Sequence, residues 1–251
     1  MKVINLENCE NIRDICYENI KEKKLIRSSA LNKLSDNDVK ILKEHLNLKV
    51  IIDLRTEEEC SEENDIFIEG VKYFNIPLVN KDALGIVQGG SAIEKLMNIK
   101  KNIPSMTDLY TKLVSRDKKE MWSEIFDILL NQNEGAILWH CKQGKDRCGI
   151  VSAIIEYCLG IDFNTIIDDY LFTNNYFISK REKLYELALE HTNDKIFAND
   201  INDLFLAKKE YIMSSFNYIN SEYGGIENFL LEICGINDDK LRILKNKYLD
   251  I

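Results

Sequence analysis

Ten consecutive residues, His140-Cys141-Lys142-Gln143-Gly144-Lys145-Asp146-Arg147-Cys148-Gly149, hold an imidazole, two thiols, three cations and two glycines. They follow the apolar run Ala136-Ile137-Leu138-Trp139 and lead into Ile150-Val151-Ser152-Ala153-Ile154-Ile155, which reads as strand, loop, helix. Such a loop aims free backbone N–H groups at one point, and the helix dipole adds positive potential there. The stretch Lys142-Gln143-Gly144-Lys145 would then cradle an anion, with Gly144 letting the backbone curl closely around it. Arg147 offers a planar fork for two phosphate oxygens. The same field stabilises a thiolate: a cysteine normally near 8.5 falls to roughly 3.5–7.5 beside cations at a helix N-terminus. Cys141 would then be ionised at neutral pH and able to attack phosphorus. His140 is placed to orient the loop by hydrogen bonding.

Other chemistries fit these residues less well. Gly144-Lys145 is not a nucleotide-binding Walker element, because Asp146 follows and Trp139 stands where the first glycine belongs. His140, Cys141 and Cys148 lack a recognised metal-ligand spacing, so no metal is expected. A buried cysteine beside a paired arginine explains Cys141 and Arg147 alone. It does not explain the preceding His, the central Gly and the strand–loop–helix setting together.

The elements that must hold this loop are partly legible. Lys49 to Leu54, Val71 to Ile76 and Ala136 to His140 read as strands, the second closed by Pro77. Ser35 can cap a helix whose Val39, Leu42 and Leu46 share a face. Strands separated by helices imply an α/β fold: a three-layer sandwich with a mostly parallel central sheet flanked by helices. The segment from Asn80 to Pro104 reads as an irregular surface loop or lid. From Asn164 onward only helices are expected, one from Ser221-Glu222-Tyr223 to Ile233, stopped by Gly235, and a last one capped by Asp238. A single domain spanning 1–251, with 164–251 as its helical C-terminal part, is the economical reading.

Composition narrows the setting. The 251 residues carry a net charge of −9, which argues against non-specific nucleic-acid binding and requires that any bound anion meet local positive charge. The first twenty residues have no apolar core of the signal-peptide kind, and no stretch approaches the length of a membrane span. Seven cysteines, at 9, 16, 60, 141, 148, 158 and 234, form no CxxC pair and no disulfide framework. The expectation is a reduced, cytoplasmic protein without an integral membrane segment; its oligomeric state is not legible.

With these residues in view, the sequence resembles the cysteine-dependent phosphatases of the protein tyrosine phosphatase superfamily. Within it, the bacterial and fungal branch with the signature HCxxGKDRTG is the most similar. Asn11-Ile12-Arg13-Asp14 resembles that branch's NxRD element, Ile26-Arg27-Ser28-Ser29 with Leu34-Ser35 its RS…LS stretch, and Ile52-Asp53-Leu54-Arg55 its IDLR strand end. Tyr223-Gly224 and the Leu241–Leu249 stretch are similar to its C-terminal helices.

The resemblance implies phosphomonoester hydrolysis without metal or other cofactor. Cys141 attacks phosphorus, a cysteinyl-phosphate forms, and water releases phosphate. An acid must protonate the leaving oxygen. Asp146 lies in the signature; Asp53 closes a parallel strand, where active-site groups gather; Asp108 is a third choice, read as an exposed helix residue. The implied substrate is a phosphotyrosine protein, with dual specificity allowed. Lys142 and Lys145 also match a CKxGKxR loop of the lipid-phosphatase branch, so phosphoinositides or inositol phosphates are the alternative. Cys148 departs from the branch, which has Thr or Ser there to stabilise the departing thiolate. A thiol is a weaker donor. A phosphate-binding protein with weakened catalysis is therefore the remaining alternative, and a second thiol beside Cys141 would also make a reversible disulfide conceivable.

Overall fold

The computed structural model describes residues 1–17, 19–79, 91–101 and 103–250. Its sheet has six strands in the order β1-β2-β3-β6-β4-β5. They are β1 (Lys2–Val3), β2 (Arg13–Asp14), β3 (Leu25–Ser28), β4 (Leu48–Asp53), β5 (Lys72–Asn75) and β6 (Ala136–His140). β3, β6, β4 and β5 run parallel, and β1 and β2 add an antiparallel edge. The three strands read from sequence lie where they were expected. β6 is buried at all five positions, which is why it appears as an unbroken apolar run.

Alternate strand residues enter opposite cores, as the two-residue period requires. Val50, Ile52, Ile137 and Trp139 join Trp122, Ile125 and Phe126 of α5 (Lys119–Asn131) and apolar residues of α6 (Asp146–Cys158), a helix buried almost all round. Ile51, Ala136 and Leu138 pack instead on Leu42 and Leu46, beyond α1 (Asp36–Lys40), and Leu48 joins them because the register shifts between Leu48 and Val50. Ser35 caps α1 as expected, in a capping box with Asp38, and the helix continues as a π-helical turn over Ile41–His45. Two cores around one sheet make the three layers.

β1, β2 and β3 are strands that the residue pattern does not announce, and the C-terminal helix boundaries differ from those expected. After α7 (Phe163–Phe172) come α8 (Ile178–Thr192), α9 (Lys195–Phe205), α10 (Lys209–Tyr223), α11 (Ile226–Glu232) and α12 (Asp238–Tyr248). Ser221 to Tyr223 end α10 rather than begin the next helix, because Gly224 adopts a left-handed C-cap. Asn237, not Asp238, caps α12, accepting from the Lys240 N–H. Of the 80–104 segment expected as a loop or lid, 80–90 and 102 lie outside the described residues. The rest includes α3 (Ala92–Lys101), whose Leu96 and Ile99 pack on Ala188, Phe197, Ala198 and Ile201 of the α8–α9 hairpin. α2 (Glu57–Glu62) and α4 (Met106–Leu113) complete the parts that face the loop.

Candidate active site

Parallel register sets the C-terminal ends of three strands side by side: Ser28 and Asp53 both pair with His140. Residues 141–145 leave this edge and enter α6, which has no side-chain cap, so its first amides are open to another acceptor. Gly144 has φ +65°, and a Cβ there would lie 2.5 Å from the Ser28 carbonyl oxygen. Only glycine fits this turn.

Cys141 lies at the base of the loop, 2% exposed. Burial resists its ionisation, but a hydrogen bond from the Cys148 thiol, the Arg147 charge and the Cys148 amide outweigh it and bring the thiol down to about 5. Burial and the Cys141 charge push the Cys148 thiol well above its ordinary value, so Cys148 keeps its proton, for which the carbonyls of Ser28 (3.7 Å) and Trp139 (3.8 Å) compete with Cys141 as acceptors. The departure from Thr or Ser thus preserves a donor at this position, a weaker one.

Arg147 is buried and aimed by Glu59 of α2. Its Nη1 donates to Glu59 Oε2 and to the Leu54 carbonyl (3.3 Å), and its Nη2 to Glu59 Oε1 (3.0 Å). Glu59 is itself fixed by a capping box, its Oε2 accepting from the Thr56 N–H at 2.9 Å. A guanidinium has five N–H donors. Among the described residues, Nε–H and one Nη2–H have no partner, and these two form one edge of the fork, free to take an anion in parallel.

The remaining residues sort differently from their places in sequence. Lys142 is exposed beside the loop, and Gln143 is half-buried. Lys145 is buried, and its Nζ donates to the carbonyls of Leu204 (2.6 Å) and Leu206 (3.1 Å), so it ties the loop to the end of α9 instead of standing free for a second phosphate. Asp146 is partly exposed, accepts from the Tyr110 hydroxyl at 2.8 Å and lies 3.3 Å from Lys145 Nζ. Asp108 is exposed in the first turn of α4.

Asp53 is fully buried and doubly held. Arg55 donates to it from Nε (3.0 Å) and Nη2 (2.7 Å), and the Tyr73 hydroxyl donates at 2.7 Å. Burial opposes its charge, yet His140 and Arg55 hold the carboxyl far below the usual carboxylate range. His140 does not bond the loop. Its Nε2 is 2.9 Å from Asp65 and 3.8 Å from Asp53, out of line for a directed hydrogen bond, so the contact is electrostatic. Burial works against protonation of His140, but Asp53 and Asp65 prevail and raise its affinity for a proton. Asp53, Asp65 and His140 lie close enough to suggest a cation site. Arg55 Nη2, 2.7 Å from one carboxylate and 2.9 Å from the other, already supplies the positive charge. The cluster is a charge-compensated brace behind the loop.

Glu59, Asp65, Tyr110 and Asp169 carried no signal of their own in the sequence. The Thr56-x-x-Glu59 pattern could have marked a helix start, but not a partner 88 residues away.

A model of the tyrosine phosphatase family matches residues 4–250. The tyrosine-protein phosphatase of Nostoc commune is 24% identical over 228 residues, covering 88% of this chain and 72% of that protein. The triple specificity protein phosphatase PtpB of Mycobacterium tuberculosis is 24% identical over 259 residues, covering 92% and 93%. Among solved structures, the core catalytic domain of the S. cerevisiae PP-IP phosphatase SIW14 is similar with a TM-score of 0.37 at 17% identity, over 85% of this chain and 96% of that one. No helix among the described residues is long and apolar enough to cross a membrane. Matched over almost its whole length, this chain belongs to the tyrosine phosphatase family and is a phosphatase.

Proposed function

We propose that the protein hydrolyses phosphotyrosine in protein substrates, with Cys141 as nucleophile and no metal. The observation that carries this reading is the buried Cys141 at the start of a loop that turns at Gly144 and enters α6 with no side-chain cap, where the Arg147 charge helps to bring the thiol down to about 5. The phosphate dianion seats on the loop amides and on Nε–H and Nη2–H of Arg147. The Cys141 thiolate attacks phosphorus and forms the S–P bond as the P–O bond to tyrosine breaks. Asp146 gives its proton to the departing phenolate oxygen. Water then attacks phosphorus, its proton passes to Asp146, and inorganic phosphate leaves as the Cys141 thiolate is restored with the Cys148 S–H donating to it.

Asp146 suits the acid role better than Asp53, because it is partly exposed and not paired with an arginine. The engagement of Lys145 with α9 leaves Lys142 as the loop's exposed lysine, which favours a monophosphate over a polyphosphorylated lipid or inositol. The relatives from Nostoc commune and Mycobacterium tuberculosis are named as protein phosphatases, in agreement. We read the chain as one phosphatase domain working in a reducing, cytoplasmic setting, since its seven cysteines are unpaired and one core joins β6 to Phe229, Leu244 and Tyr248.

The test is leaving-group dependence. Asp146→Asn slows phenyl phosphate or a phosphotyrosine peptide by about 10²–10⁴-fold and p-nitrophenyl phosphate far less, because nitrophenolate leaves without help from an acid. Asp53→Asn, which strips Arg55 of a buried partner, loses stability on the order of 3–5 kcal/mol without that selectivity. Leaving-group selectivity in Asp53→Asn and not in Asp146→Asn would reverse the assignment.

A further inference from the structure

Three successive carbonyls of the loop are bound from outside it. The Lys142 carbonyl accepts from the Ala30 N–H at 3.4 Å. The Gln143 carbonyl accepts from Asn11 Nδ2 at 2.9 Å, and the Gly144 carbonyl from Asn11 Nδ2 at 3.0 Å and Arg27 Nη2 at 2.8 Å. In a planar trans peptide unit the C=O and the following N–H point in opposite directions. Binding these three carbonyls therefore turns the amides of Gln143, Gly144 and Lys145 the other way. Among the described residues none of the three amides has an internal acceptor. Three adjacent donors held in one orientation are what an oxyanion needs, and their value in a dry site comes from being fixed beforehand.

The donors are themselves fixed. Asn11 sits at φ +54°, with its Oδ1 accepting from Arg13 Nη1. Asp169 of α7 accepts from Arg13 Nε at 2.9 Å and from Arg27 Nη1 at 2.6 Å, all three side chains being buried. Glu156 of α6 lies in the same region, and burial together with Asp169 pushes its carboxyl well above the usual range, so it stays neutral and leaves both arginines to Asp169.

We propose that Asn11 and Arg27 are positioning residues for the phosphatase reaction: they clamp the loop carbonyls outward so that the Gln143, Gly144 and Lys145 amides face the phosphate. The inference rests on reading residues 141–147 as the catalytic loop. It predicts effects on transition-state binding and on Cys141 ionisation that a merely stabilising contact would not produce.

Asn11→Gly deletes the carboxamide and keeps the left-handed backbone. Asn11→Asp keeps the shape and turns a carboxylate oxygen toward the carbonyls. Both variants, with Arg27→Lys, are measured at a temperature where melting curves show them folded. The readouts are kcat/KM on p-nitrophenyl phosphate, inhibition by inorganic phosphate, and the rate of Cys141 alkylation by iodoacetamide against pH. Asn11→Gly lowers kcat/KM by about 10²-fold, the scale of one lost oxyanion donor. It also slows alkylation at pH 5 by about fivefold, as the thiolate fraction falls when its amides swing away. Asn11→Asp loses more on both, and Arg27→Lys loses phosphate affinity while keeping its charge on Asp169. Folded Asn11→Gly and Asn11→Asp with wild-type turnover and alkylation, differing only in melting temperature, would overturn the proposal. Wild-type protein that fails to turn over any aryl phosphate would instead remove the reading it rests on.

Discussion

Cys141→Ser loses at least about 10⁴-fold in kcat/KM toward an aryl phosphate while still binding orthovanadate or phosphate, because the hydroxyl stays protonated where the thiol is ionised. The loop amides and the free edge of Arg147 are untouched by the change, so anion affinity survives. The pH profile follows with a definite sign. The Cys141 thiol comes down to about 5, so the acid limb of the profile falls tenfold per unit below that pH as the nucleophile is protonated. Acid–base titration of alkylation and of turnover checks both statements. Turnover in Cys141→Ser within tenfold of wild type would remove the nucleophile from this account.

Arg147→Lys lowers kcat/KM by about 10³-fold. The ammonium keeps the charge opposite Glu59, but the parallel donors Nε–H and Nη2–H are lost, and a point charge cannot reproduce that geometry. The conservative change matters, because Arg147→Ala would also strand Glu59 in a buried site and cost about 3–5 kcal/mol of stability. Circular dichroism and steady-state kinetics separate the two effects. Arg147→Lys with native melting and a small kinetic loss would mean that Glu59, not phosphate, is the main partner of Arg147.

What was legible beforehand follows from how each element is stabilised. β6 and β4 are buried on both faces, and a continuous apolar run bounded by polar residues marks such strands without further help. The loop was legible because its chemistry is local: thiol, glycine and arginine sit within seven residues. β2 is only Arg13–Asp14, and β3 ends in Arg27 and Ser28, so neither shows an apolar run; β3 is ordered by pairing with a strand more than a hundred residues later. Lys145 looked like a phosphate ligand because a lysine in a phosphate loop is one by default. The carbonyls of Leu204 and Leu206 that claim it arrive through tertiary packing, which local pattern does not encode. The same holds for Glu59 and Asp169, ordinary polar residues until folding brings them to Arg147 and Arg27.

The most direct test of the central claim is to catch the covalent intermediate. Enzyme mixed with excess p-nitrophenyl phosphate is quenched on a millisecond scale at a pH that preserves thiophosphate esters, digested, and read by mass spectrometry. The account predicts a burst of nitrophenolate and one phosphate on the peptide carrying Cys141, absent in Cys141→Ser. Phosphate on another side chain, or steady turnover with Cys141 never modified, would contradict it.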